Sequence, residues 1–174
     1  GGQLSEYGVD AIRVTIIAAG PPDEDIDWAD VSPASTVKWL ARVVRLATDV
    51  SAMTGSTRDA ALDKVVAKAI DEVTRCIETQ RLNVAVARFH ELVNAMRKAA
   101  DADAPASSLR DGVTALAVML SCYAPYTAEE VWHRMGHDVA AGDSVHDSTW
   151  PVADPALLID DTVICVVQVA GKVK

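Results

Sequence analysis

Three basic side chains, Lys38, Arg42 and Arg45, recur at steps of four and three residues within "STVKWLARVVRLATDV". On an α-helix that spacing stacks them along one face. Guanidinium forks pair with phosphate oxygens, and a helix holds the forks at fixed separation, so the stripe suits contact with a polyanion backbone. A solvated helix face explains the same pattern, and both readings stand at this point. Other chemistry is sparse. His133 and His137 have the i, i+4 spacing of metal ligands, but Gly136 falls between them as a helix terminator and no third ligand is near in sequence. The carboxylate runs Asp23-Glu24-Asp25 and Asp160-Asp161 lie in loop-like sequence, where charge is ordinarily solvated; acid–base catalysis needs a desolvating pocket. No Gly-rich phosphate loop, Ser-centred elbow or closely spaced cysteine set is present.

The elements that must carry the stripe follow from composition and periodicity. With 174 residues, 50% of them hydrophobic, the chain suits one domain with a real core, and Ala, Val and Leu outweigh aromatics. That favours a mostly α fold. The net charge of −9 is unevenly spread: residues 34–98 carry eleven basic and seven acidic side chains, between acidic flanks at 1–33 and 99–174. A polyanion partner is therefore compatible with an acidic protein. Cys76, Cys122 and Cys165 have no short spacing and read as small buried apolar residues in a reducing compartment. No apolar run is long enough for a membrane span, so a soluble, intracellular protein is expected.

Helices are expected at about 10–19, capped by Asp10; 33–53, opened by Ser32-Pro33; 57–79; 83–100, capped by Asn83; 108–124; and a short one after a Thr127–Glu130 capping box. The stretch 108–124 is apolar or small almost throughout, the pattern of a helix surrounded by others. Residues 137–161 read as an acidic loop, and Thr162–Val169 as a strand followed by a turn at Ala170-Gly171. The expectation is an antiparallel up-and-down bundle of four or five helices followed by a short β element. A strand with so little of its partner suggests a piece of a longer protein.

Three segments carry a resemblance. "EYGVDAIRV" resembles the Tyr-Gly-Ala-Asp-(x)-(x)-Arg segment of the class I aminoacyl-tRNA synthetases for leucine, isoleucine, valine and methionine. "CYAPYTAEEVW" resembles a segment of their anticodon-binding bundle, with Tyr126 where His is usual, and "SVHDSTWPVADPALLIDDTVICVVQVAGKVK" resembles leucyl-tRNA synthetase in particular, with Ala170 in place of Asn. The resemblance implies three parts: a linker or stem-contact region at 1–32, an anticodon-binding-type helical bundle at 33–136, and a loop with the start of a C-terminal β element at 137–174. It further implies a parent leucine–tRNA ligase that uses ATP and Mg²⁺, with the catalytic and editing portions outside this chain. The fragment alone is then expected to be inactive, without a cofactor of its own, monomeric and cytoplasmic, and to dock tRNA(Leu) by shape and charge.

On that footing Lys38, Arg42 and Arg45 become candidate tRNA contacts, followed by Arg81 and Arg88. Trp39 reads as a core-boundary residue with base stacking as the alternative, Trp28, Trp132 and Trp150 as packing residues, and Arg13 as a tie from the first helix to a carboxylate. The same domain of an isoleucyl-, valyl- or methionyl-tRNA synthetase, a free-standing acidic interaction module, and a metal-dependent hydrolase built on His133 and His137 are the competing expectations.

Overall fold

Apolar residues recurring every three or four positions form six α-helices among the described residues: α1 (Glu6–Ala19), α2 (Pro33–Ser51), α3 (Ala60–Glu78), α4 (Leu82–Asp101), α5 (Ala106–Leu120) and α6 (Pro125–Arg134). The computed structural model of the chain describes residues 6–21, 32–159, 168–169 and 172–173. The acidic loop with Trp28, the Asp160-Asp161 pair, Cys165 and the Ala170-Gly171 turn lie outside them. The mostly α class holds: among the described residues one helix, α1, precedes the bundle and five, α2 to α6, make it up, as expected.

The middle of the fold is α5. Its small and apolar side chains are buried at Ala106, Ser108, Leu109, Gly112, Val113 and every position from Ala115 to Leu120. A Cβ on Gly112 would lie 2.8 Å from Met96 Sδ and 3.0 Å from Val66 Cγ2, so the missing side chain lets α3 and α4 close on α5. Phe89 of α4 packs edge-on against Tyr123 at 5.0 Å, within a core that also holds Leu40, Leu46, Leu92, Met96, Leu116 and Met119. Each such side chain contributes about 1.5–3 kcal/mol through removal from water.

The α3–α4 hairpin is tight because α3 ends in a left-handed residue. Gln80 has φ +58°, and the Arg81 N–H donates back to Cys76 O at 2.8 Å, so α4 begins at Leu82 without the cap expected from Asn83. Asp59 caps α3 by accepting from Leu62 N at 3.1 Å, while its own N–H donates to Ser108 Oγ at 2.8 Å, tying α3 to α5. Helices α2 and α4 run side by side in the same direction, with Trp39 beside His90, Arg42 beside Asn94 and Asp49 beside Arg97.

Two sequence expectations are corrected at α1. The helix begins at Glu6, so Asp10 lies inside it and caps a different helix: its Oδ2 accepts the Thr127 N–H at 2.6 Å and the Thr127 hydroxyl at 2.7 Å, at the start of α6. Both residues are fully buried. Thr127 is thus the third residue of α6, not its cap, and Glu130 pairs with Arg134 at 2.7 Å rather than closing a capping box. Arg13 does tie α1 to its neighbours, but through carbonyls rather than a carboxylate, donating to Cys122 O at 3.2 Å and Tyr123 O at 3.4 Å just past the end of α5. The physical reason is common to both: carbonyls past a helix C-terminus attract a cation and amides at an N-terminus attract an anion, and α1 supplies one of each.

The acidic segment after α6 is more ordered than a loop. Short 3-10 turns at Val139–Ala141, Val145–Asp147 and Pro155–Leu158 are each capped by a side chain, Asp138, Ser144 and Asp154. Trp132 Nε1 donates to Asp143 O at 3.1 Å and Trp150 Nε1 to Thr74 Oγ1 at 3.0 Å, which draws this segment onto α6 and α3. Beyond it, Gln168–Val169 (β1) and Lys172–Val173 (β2) pair antiparallel, with Gln168 opposite Val173. Two residue pairs are too few to establish the expected β element. No helix among the described residues is long and apolar enough to cross a membrane.

Candidate nucleic-acid interface

The face of α2 that carries the basic stripe is fixed by what the helix buries. Trp39, Leu40, Val43, Val44, Leu46, Ala47 and Val50 all point into the core, which leaves Lys38, Arg42, Arg45 and Asp49 exposed on one side. Among the described residues Lys38 and Arg45 have no hydrogen-bond or ion-pair partner, and Arg42 has only a long contact, Nη2 to Asn94 Oδ1 at 3.4 Å. These cations are available to a ligand.

Helix α4 forms the neighbouring wall. Trp39 is buried as expected and stacks on His90, with ring centroids 4.3 Å apart and 24° between planes. Partial burial and then the Arg42 charge hold the His90 imidazole below its ordinary range, which favours the neutral ring. Further along, Arg42, Arg45, Asp49 and Arg97 line a shallow cleft of about 340 Å³ between α2 and α4. On the other flank of α2, Arg134 of α6 donates to Thr48 Oγ1 at 2.7 Å.

Not all the candidate residues meet here. Arg88 faces α3 instead, with its guanidinium 2.7 Å from Glu91 and 3.6 Å from Glu72. The Glu91 hydrogen bond, ahead of charge, raises its pKa. Arg81 is exposed at the α3–α4 turn, where its Nε donates to Thr79 Oγ1 at 3.3 Å. The structure adds Arg97, which the stripe did not include; its i, i+4 spacing from Asp101 was readable, but its pairing with Asp49, forty-eight residues away, was not. The two histidines weighed as a metal pair are engaged differently: His137 stacks flat on Trp132 at 3.6 Å and is hydrogen-bonded through Nδ1 to Asp143 Oδ2 at 2.8 Å, while His133 is exposed. No group of three His, Cys, Asp or Glu placed to hold a metal occurs among the described residues.

A basic face whose cleft is shallow and lined by charged side chains can hold a phosphate backbone, and it lacks the mostly apolar lining usual for a small-substrate pocket. The sequence model of the family described as the anticodon-binding domain of tRNA ligase matches residues 59–174. The chain belongs to this family. Relatives include leucine–tRNA ligases from Acidothermus cellulolyticus, 52% identical, and from a Nocardioides species, 48% identical, each over the whole of this chain and 21% of the relative. That of Cereibacter sphaeroides is 38% identical over 97% of this chain and 19% of its own length. The chain thus spans about a fifth of the length of the curated relatives it matches. Among solved structures, the Agrobacterium radiobacter LeuRS–tRNA–LeuAMS ternary complex shares the fold, with a TM-score of 0.77 at 22% identity over 90% of this chain and 21% of that one. The residues matched by the family model hold helices α3 to α6, and two of the segments that carried the resemblance turn out to touch, through Asp10–Thr127 and Arg13–Cys122.

Proposed function

We propose that this chain is the tRNA-docking domain of a leucine–tRNA ligase, and that the exposed face of α2, with Lys38, Arg42 and Arg45, lies against the sugar-phosphate backbone of tRNA(Leu). The observation that carries the reading is the pair of exposed cations without a described partner, Lys38 and Arg45, flanking Arg42 on a helix anchored by seven buried side chains. Most arginines elsewhere on the bundle, including Arg58, Arg75, Arg88 and Arg97, are paired with carboxylates. The names of the relatives support the leucine assignment, and the tRNA of the Agrobacterium radiobacter complex supports the ligand. Arg81 and Arg88 stand outside the proposed face.

In the whole protein, ATP and Mg²⁺ serve the activation of leucine in portions other than this domain, and this chain by itself forms no leucyl-tRNA. Residues 1–32 lead into the bundle, 33–136 constitute it, and 137–174 form a separate C-terminal part; the tie of α1 to α5 and α6 supports a fixed join between the first two. The whole protein acts as a monomer in the cytoplasm.

The test is binding of a leucine tRNA transcript to this chain across a salt series from about 50 to 200 mM, alongside Arg42→Ala/Arg45→Ala. Wild-type affinity is expected to fall steeply with salt, and the double variant to bind about tenfold more weakly with a salt slope shallower by about two. Equal binding by the two proteins, or binding that ignores salt, refutes the reading.

A further inference from the structure

The cleft between α2 and α4 holds a guanidinium whose donors are divided between two carboxylates. Arg97 Nε and Nη2 both donate to Asp101 Oδ1, at 3.0 and 2.7 Å, one turn further along α4. Its Nη1 donates across the cleft to Asp49 Oδ2 at 2.8 Å. Asp101 therefore sets the orientation of the planar group from its own helix, and Asp49 occupies only the remaining arm. That carboxylate is half exposed, belongs to α2 one turn beyond Arg45, and is the sole acid among the four residues lining the cleft.

We propose, building on the docking face above, that Arg42, Arg45 and Arg97 form one phosphodiester site and that Asp49 is its built-in competitor. An RNA phosphate oxygen takes the Nη1 donor from Asp49 while Asp101 keeps the guanidinium in place, so Arg97 joins the site without changing its rotamer. Only hydrogen bonds are exchanged. Trading one charge-assisted bond for another gains little for a single small anion. A backbone that meets Arg42, Arg45 and Lys38 at the same time gains from several contacts at once. Asp49 thereby makes the face selective for a continuous polyanion over isolated phosphate or a stray acidic side chain.

The distinguishing experiment uses two substitutions that remove the same charge from the same arginine. Asp49→Asn is expected to raise the affinity of this chain for a leucine tRNA transcript about three- to tenfold and to steepen the salt slope by about one, because Nη1 is freed for phosphate. Asp101→Asn loosens Arg97 and is expected to give no gain. In an Arg97→Ala background the Asp49→Asn gain should vanish. Far-UV circular dichroism checks that each variant keeps its helices. A gain from Asp101→Asn equal to that from Asp49→Asn, or an Asp49→Asn gain that survives Arg97→Ala, reveals a long-range charge effect and overturns the site. If Arg42→Ala/Arg45→Ala weakens binding while Asp49→Asn changes nothing, the competitor role falls and the docking face stands. If the double variant binds as well as wild type, or the wild-type chain does not bind, both fall.

Discussion

Replacing Asp10 by alanine removes the acceptor that the first turn of α6 depends on. In the folded chain Asp10 Oδ2 receives the Thr127 N–H at 2.6 Å and its hydroxyl at 2.7 Å, and neither residue is accessible to water. Each bond to a charged acceptor contributes about 1.5–3 kcal/mol, and a buried donor stranded without a partner costs about 1–3 kcal/mol. The gain is partly offset in the native state, because Asp10 Oδ1 is buried with no partner among the described residues and that cost disappears with the side chain. The balance for Asp10→Ala is a loss of about 3 kcal/mol, or about 6–12 °C in Tm for a chain of this size. Asp10→Asn keeps one acceptor and should lose about 1–2 kcal/mol, while Thr127→Val removes only the hydroxyl bond and should lose about 1 kcal/mol. Since the two side chains share that bond, the double variant should be less destabilised than the sum of the single variants by about 1 kcal/mol. Urea unfolding followed by circular dichroism and tryptophan fluorescence measures the four variants beside wild type. A loss below about 1 kcal/mol for Asp10→Ala, or strict additivity in the cycle, refutes the cap.

Burial pushes the Tyr123 phenol up to about 12, so the folded chain keeps a proton that the unfolded chain releases near pH 10; stability should be full below pH 10 and fall between 10 and 12. Tyr123→Phe should flatten that part of the pH–stability curve relative to wild type. The His90 imidazole should titrate below its ordinary value of about 6.5 by NMR, and Arg42→Ala should move it part of the way back. Because its folded pKa is depressed, the His90 contribution to stability is full above that ordinary value and is lost as pH falls from it through the lower folded pKa. Gln80 sits at φ +58° at the end of α3, where glycine is unstrained, so Gln80→Gly should stabilise the chain by about 1 kcal/mol in the same urea assay.

Helix periodicity carried most of the architecture, because burial of one face is a local pattern: α2 and α3 begin and end within three residues of their expected limits, and the all-round apolarity of 108–124 correctly marked the central helix, which ends four residues early. The errors fall where a polar residue serves a distant partner. Asp10 looked like a cap for its own helix, and it is a cap for a helix that begins at Pro125. Thr127 looked like a cap, and it is the group being capped. The same limit applies to the candidate site. Spacing on one helix sufficed to group Lys38, Arg42 and Arg45, but it could not separate Arg88, neutralised from α3 by Glu72, from a free cation, nor bring Arg97 beside Asp49. Sequence shows which charges share a helix face; only packing shows which are already spent on one another.

The fastening of α1 has a kinetic side. Its bonds to Thr127, Cys122 and Tyr123 join residues 117, 109 and 110 positions apart, whereas the α3–α4 hairpin turns within a few residues. Contacts that close so long a loop lose more chain entropy before they form, so the hairpin and α5 are expected to assemble first and α1 to dock late. Bonds absent from the folding transition state act on escape from the native state rather than on its formation. Loss of the Asp10 or Arg13 side chain is therefore expected to show as faster unfolding in stopped-flow kinetics, with folding left almost unchanged.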